Sequence, residues 1–148
     1  MAGLIAVVQT AEVALVAATA KTVVQIYSAA NHRVKVLGWG VFFDGTNTAA
    51  EPVQVRVLRQ TSSGTMSAAT PVPIFPVTET IQTYCATSAT VEPTASDVLD
   101  VLEVHPQQGY EVKYPMGQEL VLGGSTRLGI ECTAPASVNV RVKIFFEE

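Results

Sequence analysis

The sequence predicts an all-β fold, an antiparallel β-sandwich or jelly-roll-like single domain. Short runs rich in Val, Thr and aromatic residues alternate apolar with polar side chains. Turn signals recur about every 8 to 12 residues, as in sandwiches, and they separate about eight or nine candidate strands. No stretch combines a helical apolar period with helix-capping residues. A closed barrel is the alternative architecture.

The clearest strands have one apolar side, which predicts the residues of the core. Residues 53–60, 127–133 and 138–146 place apolar side chains at every second position, so one side of each strand faces the interior. The predicted core residues are Val34, Val36, Trp39, Val41, Phe43, Val55, Val57, Leu128, Ile130, Val140, Val142 and Ile144.

The only tryptophan lies in a segment that we interpret as the centre of the core. Residues 22–27 and 33–43 are β-rich runs separated by five small or polar residues, a connection of hairpin length. The apolar positions change parity after Val36, so either the strand shifts register or both of its faces are covered. Gly38 and Gly40 favour a bulge or close packing there.

The composition indicates an oligomer. Hydrophobic residues make up 48% of the chain and charged residues 15%, whereas about 25% charged residues is typical of soluble domains. So few charges suggest that part of the apolar surface is buried against other subunits. A homo-oligomer is therefore expected.

The charge distribution argues against nucleic acid as a partner. Thirteen acidic and nine basic residues give a net charge of −4 and are scattered along the chain. No basic stripe is present to neutralise phosphates. A membrane is not expected either, because Gln9 and Glu12 interrupt an N-terminal apolar run that is already too short to span a bilayer.

The first 20 residues predict a segment with a role of its own. They are apolar, contain no Lys or Arg and lack a clear helical stripe, so neither a signal peptide nor a helix is indicated. Two interpretations remain open, a strand of the same domain or an arm that packs on a neighbouring subunit. We expect the arm, with residues 1–20 outside a sandwich of residues 21–148, so that removal of residues 2–20 leaves the fold intact. Its contact residues are Leu4, Ile5, Val7, Val8, Val13, Leu15 and Val16.

Residues 67–96 are the least regular part of the chain. Pro71, Pro73, Pro76 and Pro93 remove ladder donors and favour edge or extended conformations. The apolar content is too high for a disordered linker. We expect ordered loops and short strands here, which cover the sheet or contact a partner.

Residues that could carry chemistry are few. His32 and His105 lack a second His or Cys at metal-ligand spacing, so no metal site and no cofactor are expected. Cys132 alternates with apolar residues, which indicates a core position, and we expect Cys85 and Cys132 to be separate thiols. The sequence therefore predicts a protein that is not an enzyme.

Acidic and aromatic side chains leave two other functions open. Glu103, Glu111, Glu119 and Glu131 lie on candidate strands, where paired acids can hydrolyse glycosides, but exposed strand positions usually carry solvated glutamates. The tyrosines allow a platform for carbohydrate, although such residues more often pack on sheets or at interfaces. They are Tyr27, Tyr84, Tyr110 and Tyr114.

Four motifs taken together resemble one family. LGWGVFFDGT, EVHPQQG, YPMGQELVLGG and RLGIECTAP are similar to sequences of the capsid decoration (head-stabilising) proteins of long-tailed bacteriophages of thermophilic bacteria. The resemblance covers residues 21–148. It implies an all-β homotrimer on the outer surface of the icosahedral head, made in the host cytoplasm and then part of the virion.

The same resemblance implies which partners to expect. They are the major capsid protein and neighbouring decoration trimers, over which an N-terminal arm reaches, and the role is to stabilise the head against internal DNA pressure. The family offers no catalytic residues to transfer. The alternative function is a carbohydrate- or receptor-binding β-sandwich module of a phage tail.

Overall fold

The computed structural model describes residues 3–148 as thirteen β-strands, with no helix in that range. In chain order the strands are β1 (Ile5–Gln9), β2 (Val13–Leu15), β3 (Ala20–Tyr27), β4 (Val34–Phe43), β5 (Val53–Gln60), β6 (Thr65–Ala69), β7 (Val72–Phe75), β8 (Tyr84–Val91), β9 (Ala95–Val104), β10 (Gly109–Lys113), β11 (Leu120–Leu122), β12 (Arg127–Thr133) and β13 (Val138–Glu147).

The strands form two antiparallel sheets. Sheet A has seven strands in the order β10-β4-β13-β1-β7, with β11 paired to β4 and β2 paired to β13. Sheet B has six strands in the order β6-β8-β3-β12-β5-β9. Apolar side chains of both sheets form one core, which confirms the predicted β-sandwich. Jelly-roll connectivity stays a prediction.

The predicted core residues lie between the sheets. All of them are buried except Phe43, which is partly buried against the same cluster. Trp39 and Phe146 are the two largest side chains that are fully buried there. The indole nitrogen of Trp39 donates a hydrogen bond to the hydroxyl of Tyr114 at 3.0 Å, so the polar edge of the ring has a partner.

The predicted hairpin between residues 22–27 and 33–43 is wrong. β3 pairs with β12 and β8 in sheet B, whereas β4 pairs with β10 and β13 in sheet A, so the connection crosses from one sheet to the other. The hydroxyl of Ser28 donates to the carbonyl of Gly123 and accepts from the amide of Thr126, which fixes this crossing to the turn before β12. Both faces of β3 are covered, a pattern that a solvent-facing hairpin strand does not show.

A β-bulge explains the change of parity in β4. Phe145 pairs with Gly38 and Phe146 with Val36, so Leu37 is an extra residue in the β4 strand. A single extra residue moves the following side chains to the opposite face. Val36 and Trp39 can therefore both point into the core. Of the two alternatives that the sequence left open, a register shift or two covered faces, the structure shows the register shift.

The N-terminal segment is part of the sandwich and not an arm outside it. β1 is hydrogen-bonded to β13 on one side and to β7 on the other, and β2 also pairs with β13. Leu4 and Glu148 exchange two backbone hydrogen bonds of 2.9 Å. The predicted boundary at Lys21 therefore does not separate an arm from a body. Alternating residues of β1 complete the core of their own chain, so this strand is not free to reach over a neighbouring subunit.

The side chains predicted for the arm have different positions. Leu4, Val7, Val8, Val13 and Leu15 are buried within the chain itself. Ile5 is partly buried, and Val16 is 64% exposed in the turn after β2. Residues 1 and 2, which the prediction included, lie outside the described residues.

Residues 61–96 contain three strands and two crossings over sheet B. β5 and β6 lie near opposite edges of this sheet, as do β8 and β9, so both connections pass over its outer side. The amide of Thr61 donates to the carbonyl of Thr94 at 2.8 Å, which joins the two crossings. The expectation of short strands and ordered loops in residues 67–96 is confirmed.

Candidate interaction surface

The outer side of sheet A carries an apolar surface that crosses four strands. In the register of the sheet, Phe145 lies beside Val7 and Val7 beside Val72, while Ile5 lies beside Phe75. Neighbours in register share one face, and the next residues, Ala6, Val8 and Ile144, belong to the core on the other face. We define the apolar surface of sheet A as Ile5, Val7, Phe42, Val72, Phe75 and Phe145.

This surface is accessible at both of its ends. Phe75 is 68% exposed and Val72 is 59% exposed on β7, and Phe42 is 40% exposed on β4. Phe145 and Ile5 between them are half-buried. Contiguous exposed apolar side chains mark interaction sites on soluble proteins, whereas single ones need no explanation.

Glycines keep the β4 end of the surface flat. A Cβ on Gly109 would lie 2.2 Å from the ring of Phe42, so the ring occupies the space that a side chain would need. A Cβ on Gly40 would lie 3.0 Å from the same ring and 3.1 Å from the Lys143 side chain. Phe42 and Lys143 can therefore lie along the sheet instead of projecting from it.

Cations and acids surround the aromatic rings. The ammonium of Lys143 lies 2.7 Å from the carboxylate of Glu111 and 5.3 Å from the centre of the Phe145 ring. The ammonium of Lys113 lies 5.2 Å from that ring, and Lys113 takes part in none of the four ion pairs found in residues 3–148. The hydrogen bond from Lys143 holds the pKa of Glu111 below its ordinary value.

One free edge of each sheet, β7 in sheet A and β9 in sheet B, is poorly suited to strand addition. Pro73 removes a backbone donor from the edge strand β7, and Pro71 and Pro76 flank the same strand. β9, the edge of sheet B, has two register irregularities against β5 and carries exposed acidic residues. A partner at β7 is therefore expected to contact the face of sheet A and not to extend the sheet.

The two histidines lie apart in exposed connections. Nδ1 of His32 lies 2.8 Å from the side-chain oxygen of Asn31, and Nδ1 of His105 accepts a hydrogen bond of 3.2 Å from the amide of Gln107. No group of three or more potential metal-ligating side chains occurs in the part of the chain that the structure describes.

Both cysteines are free and buried. Burial raises the pKa of the Cys85 thiol to about 12, with a smaller contribution from the charge of Glu148. Burial also raises the pKa of Cys132, which lies among core residues of β12. The thiol and not the reactive thiolate is thus the form present at neutral pH.

The four glutamates considered for acid–base chemistry are not brought together. Glu111 and Glu119 lie on or next to strands of sheet A, whereas Glu103 and Glu131 lie on strands of sheet B. Glu131 accepts a hydrogen bond of 2.9 Å from Nε of Arg56, which balances its buried charge.

The four tyrosines form two separate pairs and not one platform. Tyr27 and Tyr84 are neighbours in register on sheet B. Tyr110 and Tyr114 lie beside Trp39 at the edge of sheet A, where the rings of Trp39 and Tyr110 have centres 5.6 Å apart.

A shallow groove of about 730 Å³ lies at one end of the sandwich. Its lining comprises small, apolar and hydroxyl-bearing residues together with Asn47, Asn139 and two acidic residues, Asp44 and Glu51. The carboxylate of Asp44 accepts hydrogen bonds from the backbone and the side chain of Asn139, which lower the pKa of Asp44. Asp44 therefore links the turn after β4 to β13.

Comparisons with protein-family models, with curated proteins and with solved structures each found no match. No helix long and apolar enough to cross a membrane is present in residues 3–148.

Sequence reasoning missed β7 as part of the candidate surface. Its only signal was the apolar content of residues 67–96, which suggested a cover for the sheet or a partner contact. The placement of Val72 and Phe75 beside β1 depends on pairing between strands that are far apart in the chain.

Proposed function

We propose that this chain is a structural subunit of a virion, a trimeric capsid decoration protein that binds the outer surface of an icosahedral head. The observation that carries the proposal is the apolar surface of sheet A, because it combines three exposed side chains, Phe42, Val72 and Phe75, with half-buried Ile5 and Phe145 on one face of the sheet. The motif resemblance described above supplies the kind of assembly.

Burial of subunit surfaces is the proposed mechanism, with no chemical turnover. Exposed Phe and Val side chains gain stability when a second surface removes them from water, by about 25 cal/mol per Å² of apolar area. Many such contacts on one lattice act together, so that the shell gains far more than one contact supplies. The head would thereby resist the pressure of its packaged DNA.

In this proposal β1, as part of sheet A, makes the subunit contact that was expected from an N-terminal arm. Ile5 and Val7 point to the outer side of sheet A, where they complete the apolar surface between Phe145 and the β7 residues. Ile5, which is half-buried, therefore contributes to subunit contact from within the sheet, whereas Val7 is 8% exposed and is buried between its neighbours. The capsid and neighbouring decoration trimers are the partners proposed for this surface and for the exposed Val16.

The oligomeric state is the first test. Sedimentation velocity of the purified chain at micromolar concentration should give a trimer that persists on dilution. A strict monomer would contradict the proposal.

A pair of variants tests the contact surface itself. The double variant Val72→Ser/Phe75→Ser should dissociate the trimer or weaken its binding to heads, with an unchanged circular-dichroism spectrum, because both side chains are exposed. The matched control Val98→Ser/Val101→Ser alters exposed valines on β9 of the other sheet and should have no effect. If both double variants had the same effect on trimer dissociation and on binding to heads, the apolar surface of sheet A would not be the contact surface.

Electron microscopy tests the place in the virion. Gold-labelled antibodies against the chain should mark the head, whereas labelling of the tail would favour the receptor-binding alternative.

A further inference from the structure

A row of side chains on the outer side of sheet B is not explained by the proposed assembly surface. In register, Tyr84 of β8 lies beside Tyr27 of β3, which lies beside Arg127 of β12. The adjacent residues Ile26 and Leu128 belong to the core on the opposite face. Tyr84 is 49% exposed, so one end of this row is open to solvent.

Arg127 is held in place but has no acidic partner. Its guanidinium carbon lies 4.1 Å from the centre of the Tyr27 ring, a stacking distance. None of the four ion pairs in the described residues includes Arg127, and its buried Nε has no hydrogen-bond partner. By contrast, Arg56 on the same sheet is paired with Glu131. A guanidinium without an acidic partner is stabilised by an anion, so an anionic ligand that reaches the outer nitrogens of Arg127 would stabilise it.

A small hollow lies next to this row. It measures about 230 Å³, and its lining includes Gln25, Ser63, Thr65, Tyr84 and Ala86. Clefts for drug-sized ligands measure about 300 to 1,000 Å³, so this hollow suits a smaller group. Hydroxyl and amide groups beside an exposed tyrosine ring suit a ligand that has both hydroxyl groups and an apolar face.

The hollow is rigid because of the network below it. The side-chain amide of Gln25 donates to the Gln60 oxygen at 2.7 Å, and the Gln60 amide donates to the Thr22 hydroxyl at 3.0 Å. All three side chains are buried. A site whose polar groups are already fixed loses less conformational entropy when a ligand binds.

We propose that the row Tyr84–Tyr27–Arg127 and the adjacent hollow bind an acidic sugar of the uronic acid type. The carboxylate pairs with the guanidinium of Arg127, the sugar ring packs on Tyr84, and its hydroxyl groups face Ser63 and Thr65. This activity is separate from the proposed assembly role, since it uses the other sheet. A particle that carries the chain would then bind acidic polysaccharide through this site.

Calorimetry with trigalacturonic acid tests the proposal, with neutral maltotriose and triglutamate as comparison ligands. Trigalacturonic acid should bind. Maltotriose should bind at least about tenfold more weakly because it has no carboxylate for Arg127, and triglutamate should bind at least about tenfold more weakly because it has no sugar ring or hydroxyl groups for Tyr84, Ser63 and Thr65. Absence of binding, equal binding of maltotriose or equal binding of triglutamate would each overturn it.

Variants locate the site. Arg127→Gln should weaken binding of trigalacturonic acid about tenfold or more, and Tyr84→Ala should also weaken it. Arg59→Gln is the matched control, because Arg59 is an exposed arginine on β5 of the same sheet. Unchanged binding in Arg127→Gln, or an equal loss in Arg59→Gln, would contradict the assignment. Sedimentation of Arg127→Gln should still show the trimer, so failure of this site is distinguishable from failure of the assembly proposal.

Discussion

The ammonium of Lys143 reaches the carboxylate of Glu111 at 2.7 Å by passing over Gly40, which separates them in register. A side chain at position 40 would occupy the space through which this contact is made. The same glycine lets the Phe42 ring lie against the sheet. Because Gly40 has no side chain, both the Lys143–Glu111 ion pair and the position of the Phe42 ring against the sheet are possible.

Alanine at two glycine positions should separate surface shape from stability. A Cβ at Gly38 would lie 2.5 Å from the Val112 carbonyl oxygen, whereas a Cβ at Gly40 meets only the far ends of flexible side chains. Gly38→Ala should therefore lower the free energy of unfolding by about 1 to 3 kcal/mol. Gly40→Ala should cost less and instead weaken assembly. Urea unfolding and sedimentation measure the two effects, and equal destabilisation would contradict this reading.

The Lys143–Glu111 contact should make stability depend on pH. The pKa of Glu111 is lowered in the folded state, so its contribution is complete above the unfolded value of about 4.3 and is lost as pH falls through the lower folded value. Urea midpoints of wild type and Lys143→Met should therefore differ more at pH 7 than at pH 2.5. The same difference at both pH values would show that the contact contributes by packing alone.

Truncation should unfold the protein. Removal of residues 2–20 deletes β1 and β2, so β7 loses its partner in sheet A and β13 keeps only β4. It also removes the buried side chains of Val8 and Leu15 from the core. Circular dichroism should show loss of the β signal, whereas a folded truncated chain would show that the segment is dispensable.

Both thiols should be inert in the native protein. Burial raises the pKa of Cys85 to about 12 and also raises that of Cys132, so little thiolate exists at pH 8. A disulfide reagent should react with neither cysteine until denaturant is added, and then with both. Rapid labelling of native protein would place a cysteine at the surface.

Strands whose apolar residues alternate with polar ones could be predicted from sequence, and strands with consecutive apolar residues could not. The bounds of β5 and β12 agree with the predicted ones because their apolar residues alternate. β1 and β3 are apolar on both sides, so their pattern does not say which strand they pair with. β3 and β4, which lie in different sheets, were therefore predicted as one hairpin.

The apolar surface of sheet A could be predicted only in part. Ile5 and Val7 were expected to contact another subunit, but Val72 and Phe75 join them only through the pairing of β1 with β7. That pairing brings together residues far apart in the chain, and local sequence patterns contain no information about it. The stacking of Arg127 on Tyr27 depends in the same way on the pairing of β12 with β3.

The position of β13 between β4 and β1 has a consequence for synthesis of the chain. β13 pairs with β4, β1 and β2, so the central strand of sheet A is synthesised long after the first strand that it pairs with. β1 remains unpaired on that side until residues 138–147 have emerged from the ribosome. Contacts between distant segments slow folding, and an apolar strand without its partner promotes aggregation. Sheet A therefore cannot close before β13 has been synthesised.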